Sequence, residues 1–157
     1  CGMIMAFDPG SVSGAYGVLD AQGRFVTCGD LPVSPLGGAG KDQVNPALLA
    51  ALVRQIKPDL AVVEHIGVMP SQGNVSGFRF GTAYGIILGV IAACGVPFLL
   101  ISPQVWKKAM GLSRDKAQSI TLALQYYPEA AEHLGRKKDH GKAEALCLAR
   151  FQYSKRQ

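Results

Sequence analysis

The residues best suited to chemistry are acids placed where apolar runs stop. Asp8 follows the run Met3 to Phe7 and is itself followed by Pro9-Gly10, and Glu64 follows Leu60 to Val63. An acid closing a stretch as apolar as Leu-Ala-Val-Val is costly to bury unless it is paired or meets a cation. Further along, Asp139, His140 and Glu144 open the last helical stretch, where His140 and Glu144, four residues apart, share one face. Taken singly, Asp8 reads as a turn former, Asp139 as a capping acid and His140 with Glu144 as a solvated pair. Taken together they supply hard donors from two strands and a helix. That set suits phosphodiester hydrolysis assisted by two divalent ions held about 3.5–4 Å apart, one activating water and one stabilising the leaving oxygen.

Positioning such groups requires a sheet, and the chain supplies the segments for one. Met3 to Phe7, Gly14 to Leu19 and Arg24 to Cys28 are short apolar runs separated by turn residues, which predicts a three-stranded antiparallel meander. Residues 32–43, rich in Pro, Gly and Ser, are expected to form a surface loop. Asn45-Pro46 then opens an amphipathic helix to Ile56. Leu60 to Glu64 and Val96 to Ile101 read as buried strands, separated by a loop over 67–74 and a helix from about Val75 to Cys94. Ser102-Pro103 starts a short helix through Met110, Ser113 introduces a helix from Arg114 to about Tyr127, and a last helix runs from about Asp139 to Tyr153. The expected fold class is α/β: a mixed five-stranded sheet flanked by helices, in the order of elements of the RNase H-like fold.

The 157 residues suit one domain over 1–157, with Cys1 and Gly2, which precede Met3, left out as an expected remnant ahead of the natural start. Lys and Arg outnumber Asp and Glu by 16 to 11, and a pI near 9.1 favours a polyanionic partner. Cysteines at 1, 28, 94 and 147 include no C-x-x-C pair, so neither a zinc site nor a disulfide frame is expected. No signal-type stretch opens the chain, which leads to the expectation of a reducing, cytoplasmic setting in a bacterial or phage-infected cell. The apolar run Gly85 to Ile101 is broken by Gly95 and Pro97, and is read as a helix followed by a strand instead of a membrane span.

Three short segments carry a resemblance to a known family. Met5-Ala6-Phe7-Asp8-Pro9-Gly10, Ala61-Val62-Val63-Glu64 and Lys138-Asp139-His140-Gly141-Lys142-Ala143-Glu144-Ala145-Leu146 resemble the three acidic motifs of the RuvC Holliday junction resolvases. Ser102-Pro103-Gln104-Val105-Trp106-Lys107-Lys108 is similar to a Pro-x-x-Trp-Lys segment common in the bacteriophage members. The resemblance implies a Mg²⁺-dependent endonuclease that resolves four-way DNA junctions by paired nicks. Two ions per active site would be held by Asp8, Glu64 and an acidic pair on the last helix. Many members carry two acids three residues apart there, whereas this chain has Gly141 three residues before Glu144. His140 with Glu144 is therefore the first assignment, and Asp139 is kept as a ligand or as a group behind the ligands. An imidazole among carboxylates makes Mn²⁺ an alternative ion.

Branched DNA is the expected partner, held by Lys107, Lys108, Arg114, Lys116, Arg136, Lys137, Lys138 and Lys142 through phosphate contacts, the alternative being ordinary solvated helix faces. Residues 65–80, the region that probes the junction centre in the family, add Gln72, Asn74, Phe78 and Arg79, with Phe78 or Phe80 as a wedge between bases. Gly77, Gly81, Gly85 and Gly89 form one stripe along the long helix. Each should cost about 1 kcal/mol relative to Ala, so the stripe is expected to meet the sheet or a second copy. A two-fold junction that needs paired nicks suits a homodimer. Other readings remain: a nuclease of the same fold acting on RNA, flaps or other branched DNA, an actin-like nucleotide-binding protein, or an inactive DNA-binding module. A second phosphate-binding turn is not evident in the sequence, so no nucleotide cofactor is expected.

Overall fold

The structure is a computed structural model that describes residues 2–10, 14–35, 42–67 and 73–155. Strands β1 (Ile4–Pro9), β2 (Gly14–Leu19) and β3 (Phe25–Asp30) form the antiparallel meander. After β6 (Leu60–Glu64) and β7 (Phe98–Ile101), the main sheet has the order β3-β2-β1-β6-β7. β1 pairs with β6, and β6 with β7, in parallel. This is the expected mixed five-stranded sheet, with helices on both faces.

Side-chain alternation along the strands divides the interior in two. Ile4, Ala6, Leu19 and Val62 point to one face and pack under α3 (Pro103–Ala109), α4 (Lys116–Tyr126) and α5 (His140–Ser154) through Trp106, Ala123, Leu146 and Leu148. Met5, Phe7, Val18 and Val63 point to the other face and pack under α1 (Pro46–Ile56) and α2 (Asn74–Ala93) through Leu49, Val53, Ala83 and Ile87. α1 begins as the sequence predicts, with the Asn45 side chain accepting from the amides of Ala47 and Leu48 and Pro46 in the first turn.

Four expectations change. The segment over 32–43 is not only loop, because β4 (Val33–Pro35) and β5 (Asp42–Val44) pair as a small separate sheet. The helix expected from Arg114 starts at Lys116, where Asp115 accepts from the amide of Ala117 and so takes the capping role given to Ser113. β7 is an edge strand, with Phe98, Leu99 and Leu100 exposed by 37%, 44% and 42%. A run of apolar residues reads the same whether its own fold or something else covers it. The glycine stripe likewise does not meet the sheet: a Cβ at Gly81, Gly85 or Gly89 would find nothing within 4 Å.

α2 is long and apolar enough to cross a membrane by length and composition alone. One face of it, however, is built into the core through Ala83, Ile87, Val90 and Ile91. The run Gly85 to Ile101 divides into the end of that helix and β7, as its Gly and Pro break predicts.

Candidate active site

Asp8 lies within β1, paired with Ala15 of β2, and not at the strand end. It has the same parity as Ile4 and Ala6, so it projects toward the face that carries α5. Glu64, in step with Val62, projects toward the same face from the adjacent parallel strand. The third acid arrives on α5, which crosses the meander where β2 has only small side chains. A Cβ on Gly17 would stand 2.9 Å from the backbone nitrogen of Leu146, so the helix lies almost on the strand there. One turn earlier, a Cβ on Gly141 would stand 3.2 Å from Asp8 Oδ2 and 3.4 Å from Ala15 Cβ. The position that bears an acid in many members of the resembled family is thus packed directly against Asp8.

Asp8, Glu64 and Glu144 consequently face one another. The Asp8 carboxyl is held well above its ordinary range, first by burial, then by the charges of Glu144 and Glu64, with Glu144 also within hydrogen-bonding reach. Glu64 is raised chiefly by burial, while Lys107 and a hydrogen bond from Trp106 act in the opposite sense. Trp106 Nε1 donates to Glu64 Oε2 at 2.8 Å, and the ammonium of Lys107 lies 3.4 Å from Glu144 Oε1. Three carboxylates that repel one another, Glu64 buried and Asp8 and Glu144 partly so, constitute a hard anionic donor set, which fits a divalent cation. Among the described residues, no three His, Cys, Asp or Glu side chains already stand around one point at ligand distances. The positive charge beside the acids is that of Lys107.

His140 borders the same cavity as Asp8. The cavity, of about 220 Å³, is also lined by Gly10, Asp30, Lys138 and Gly141, and the buried Nδ1 of His140 has no hydrogen-bond partner.

The Asp139 carboxylate, by contrast, is engaged by its neighbours. Oδ2 accepts from the Arg136 amide at 2.9 Å, and Oδ1 takes Arg136 Nη2 and Lys142 Nζ, each at 3.0 Å. The same contacts engage two of the cations expected to touch DNA. Lys142 is buried, reaches the His133 carbonyl at 3.4 Å and faces Asp30 at 3.8 Å, and Arg136 is held by Asp139. Lys142 is thereby withdrawn from a DNA surface, whereas the Arg136 side chain, although paired with Asp139, is still 58% exposed.

The other cations stand differently. Lys107, Lys108 and Arg114, with Gln104 and Ser113, line an open groove of about 480 Å³ beside the acids. Lys116, Lys137 and Lys138 are exposed. At the start of α2, Asn74 is exposed, Arg79 reaches the Asp42 carbonyl at 3.3 Å, and Phe78 is 78% exposed, whereas Phe80 packs edge-on to Tyr84. Gln72 and Met69 lie outside the described residues. The thiols of Cys28 and Cys147 are pushed up to about 11 and about 12 by burial, and behave as small apolar groups. Trp106 is the contributor to the site that residue-by-residue reading missed. Its signal, a tryptophan next to Lys107 just after a strand, was present only as part of a family-like segment.

No family model matches the chain. Curated relatives do: it is 31% identical to the crossover junction endodeoxyribonuclease RuvC of Rhizobium rhizogenes, over 93% of this chain and 88% of that protein. It is also 31% identical to the RuvC of Nitratidesulfovibrio vulgaris, over 74% of this chain and 72% of that one. Among solved structures, Thermus thermophilus RuvC in complex with a Holliday junction substrate superposes with a TM-score of 0.71 at 20% identity, covering 98% of this chain and 95% of the other. The yeast mitochondrial Holliday junction resolvase Ydc2 gives 0.57 at 12% identity, over 96% and 78%. Sheet order and acidic centre together define a protein of the RNase H-like nuclease fold. Within that class, the chain belongs to the RuvC crossover junction endodeoxyribonuclease family.

Proposed function

We propose that this chain is an endonuclease that resolves four-way DNA junctions, and that it does so with Mg²⁺ at the acidic centre. The observation that carries the reading is the convergence of Asp8, Glu64 and Glu144, remote in sequence, on one face of the sheet. These three residues would hold two Mg²⁺ ions, with His140 as a nitrogen donor at the margin and Mn²⁺ as an alternative ion; Asp139 is left out because of its pairing. Bound Mg²⁺ supplies activation of the attacking water and stabilisation of the leaving oxygen. The protein's own part is to place the acids and orient the phosphate. Lys107 stands beside Glu144 and opens onto the groove shared with Lys108 and Arg114, so a phosphate entering there approaches the acids past three cations.

Phe78 is the better candidate for a wedge into the junction, since it projects into solvent while Phe80 is packed. A homodimer is supported by what the single chain leaves uncovered. Gly81, Gly85 and Gly89 offer a helix surface that another backbone can approach, and α2 carries a single charged residue, Arg79. Light scattering that shows only monomer in the presence of junction counts against the dimer.

The test is cleavage of a matched panel of four-way junction, flap, duplex DNA and RNA hybrid, with and without Mg²⁺, by the wild type and Glu64→Gln. Symmetric paired nicks confined to the junction, Mg²⁺-dependent and abolished in Glu64→Gln, are expected. Equal cutting of flaps or hybrids overturns the substrate assignment.

A further inference from the structure

Trp106 is 1% exposed and sits in the core on the α5 side of the sheet. An indole N–H can only donate, and burying it unpaired is costly, so the fold must give it an acceptor. Most interior acceptors are backbone carbonyls or neutral side chains. Here the acceptor is Glu64, a 5% exposed carboxylate 42 residues away in sequence, at 2.8 Å.

The route is short and rigid. Glu64 and Ile101 are in register at the ends of β6 and β7, and the His65 amide donates to the Ile101 carbonyl at 2.8 Å, which ties the two strand ends together. Ser102 leaves β7 and Pro103 begins α3 at once, so that Trp106 returns over the end of β6. The next residue, Lys107, engages Glu144. Neighbouring side chains of one seven-residue helix therefore hold two acids of the cluster by different means.

The difference has chemical content. A lysine can swing toward a phosphate and carries a charge that competes with any cation. A buried indole cannot leave, and because it is neutral it fixes a carboxylate while leaving the full negative charge to attract a metal. We infer that Trp106 is a positioning residue: its N–H holds Glu64 Oε2, so that the carboxylate is set in one orientation and offers Oε1 to the divalent cation. This inference rests on the reading of Glu64 as a metal ligand given above.

The protein contains one tryptophan, so the contact can be followed optically. Mg²⁺ alone, without DNA, is titrated into the wild type by calorimetry and by tryptophan fluorescence, and calorimetry is repeated on Trp106→Phe and Glu64→Gln. Wild-type fluorescence is expected to change with the calorimetric midpoint. Trp106→Phe, which keeps a ring but removes the donor, is expected to bind Mg²⁺ about tenfold more weakly. The Mg²⁺ concentration for half-maximal nicking should rise in parallel, with a smaller loss of rate at saturation. Wild-type affinity in Trp106→Phe overturns the inference. So does fluorescence that stays constant while calorimetry records binding, and this arm needs no variant to fold. Undiminished Mg²⁺ binding in Glu64→Gln instead faults the site reading on which the inference rests.

Discussion

The backbone nitrogen of Leu146 stands 2.9 Å from where a side chain on Gly17 would begin, and this close approach seats α5 on β2 and carries Glu144 to Asp8. A methyl group there meets the Leu146 backbone as well as its side chain, and the backbone cannot turn aside. Gly17→Ala is expected to cost about 1–3 kcal/mol of stability, as overpacking of a core does, and to reduce nicking more than that loss alone explains. Chemical denaturation together with junction cleavage measures both. Full activity with unchanged stability would show that α5 has room to shift.

Gly141 makes a gentler version of the same test. The added carbon of Gly141→Ala meets Asp8 Oδ2 at 3.2 Å, a contact relieved by a displacement of a few tenths of an ångström. Helix propensity favours Ala by about 1 kcal/mol, so stability should hold or rise while nicking falls by about tenfold through misplacement of Asp8. A variant as active as the wild type shows that the position of Asp8 is not critical at that scale.

Asp8 itself should trade stability for activity. Its folded-state carboxyl is raised above its ordinary value of 3.8, so without metal the protein holds the proton more tightly than the unfolded chain does. Its contribution therefore favours the folded state at low pH and is lost as the pH rises from about 3.8 through the raised value. Asp8→Asn removes that burden. Its metal-free melting temperature at neutral pH should exceed that of the wild type by a few degrees, with nicking abolished and junction binding retained.

Asp139 behaves in the opposite sense. Arg136 and Lys142 hold its carboxyl well below the usual range, so its stabilisation is complete above about 3.8 and is lost as acid takes the pH down through the depressed value. Asp139→Asn leaves buried Lys142 short of its nearest counter-charge and is expected to cost about 3 kcal/mol. The penalty should shrink in acid titration below pH 3.8. A melting temperature equal to the wild type at pH 7 contradicts this account.

Phe78 and Phe80 should separate by function. Phe78→Ala removes a side chain that packs on little of its own chain, so stability should change by less than about 0.5 kcal/mol while junction cleavage drops. Phe80→Ala should destabilise through loss of its edge contact with Tyr84. The reverse pattern would reassign the wedge.

What the sequence discloses here depends on whether a residue's environment is local. Asp8 and Glu64 could be found because each interrupts an apolar run, and strand parity then dictates that both face α5. Glu144 followed from helical spacing. Asp139 stands three residues from both Arg136 and Lys142, within reach of a local reading, whereas the approach of Asp30 to Lys142 appears only once β3 is laid beside the start of α5. The Trp106 bond to Glu64 joins segments 42 residues apart through the register of two parallel strands. β7 shows the remaining limit: hydrophobicity records that a surface is meant to be covered, without recording by what.

The acids and the uncovered stripe of α2 lie on opposite sides of one sheet. On the proposed dimer, a subunit disarmed at Asp8 would keep the surface with which it pairs with an intact one. Mixed with wild type, such subunits would divert intact chains into pairs that sever one strand and stall, so that an enzyme that finishes crossovers becomes one that leaves them half opened.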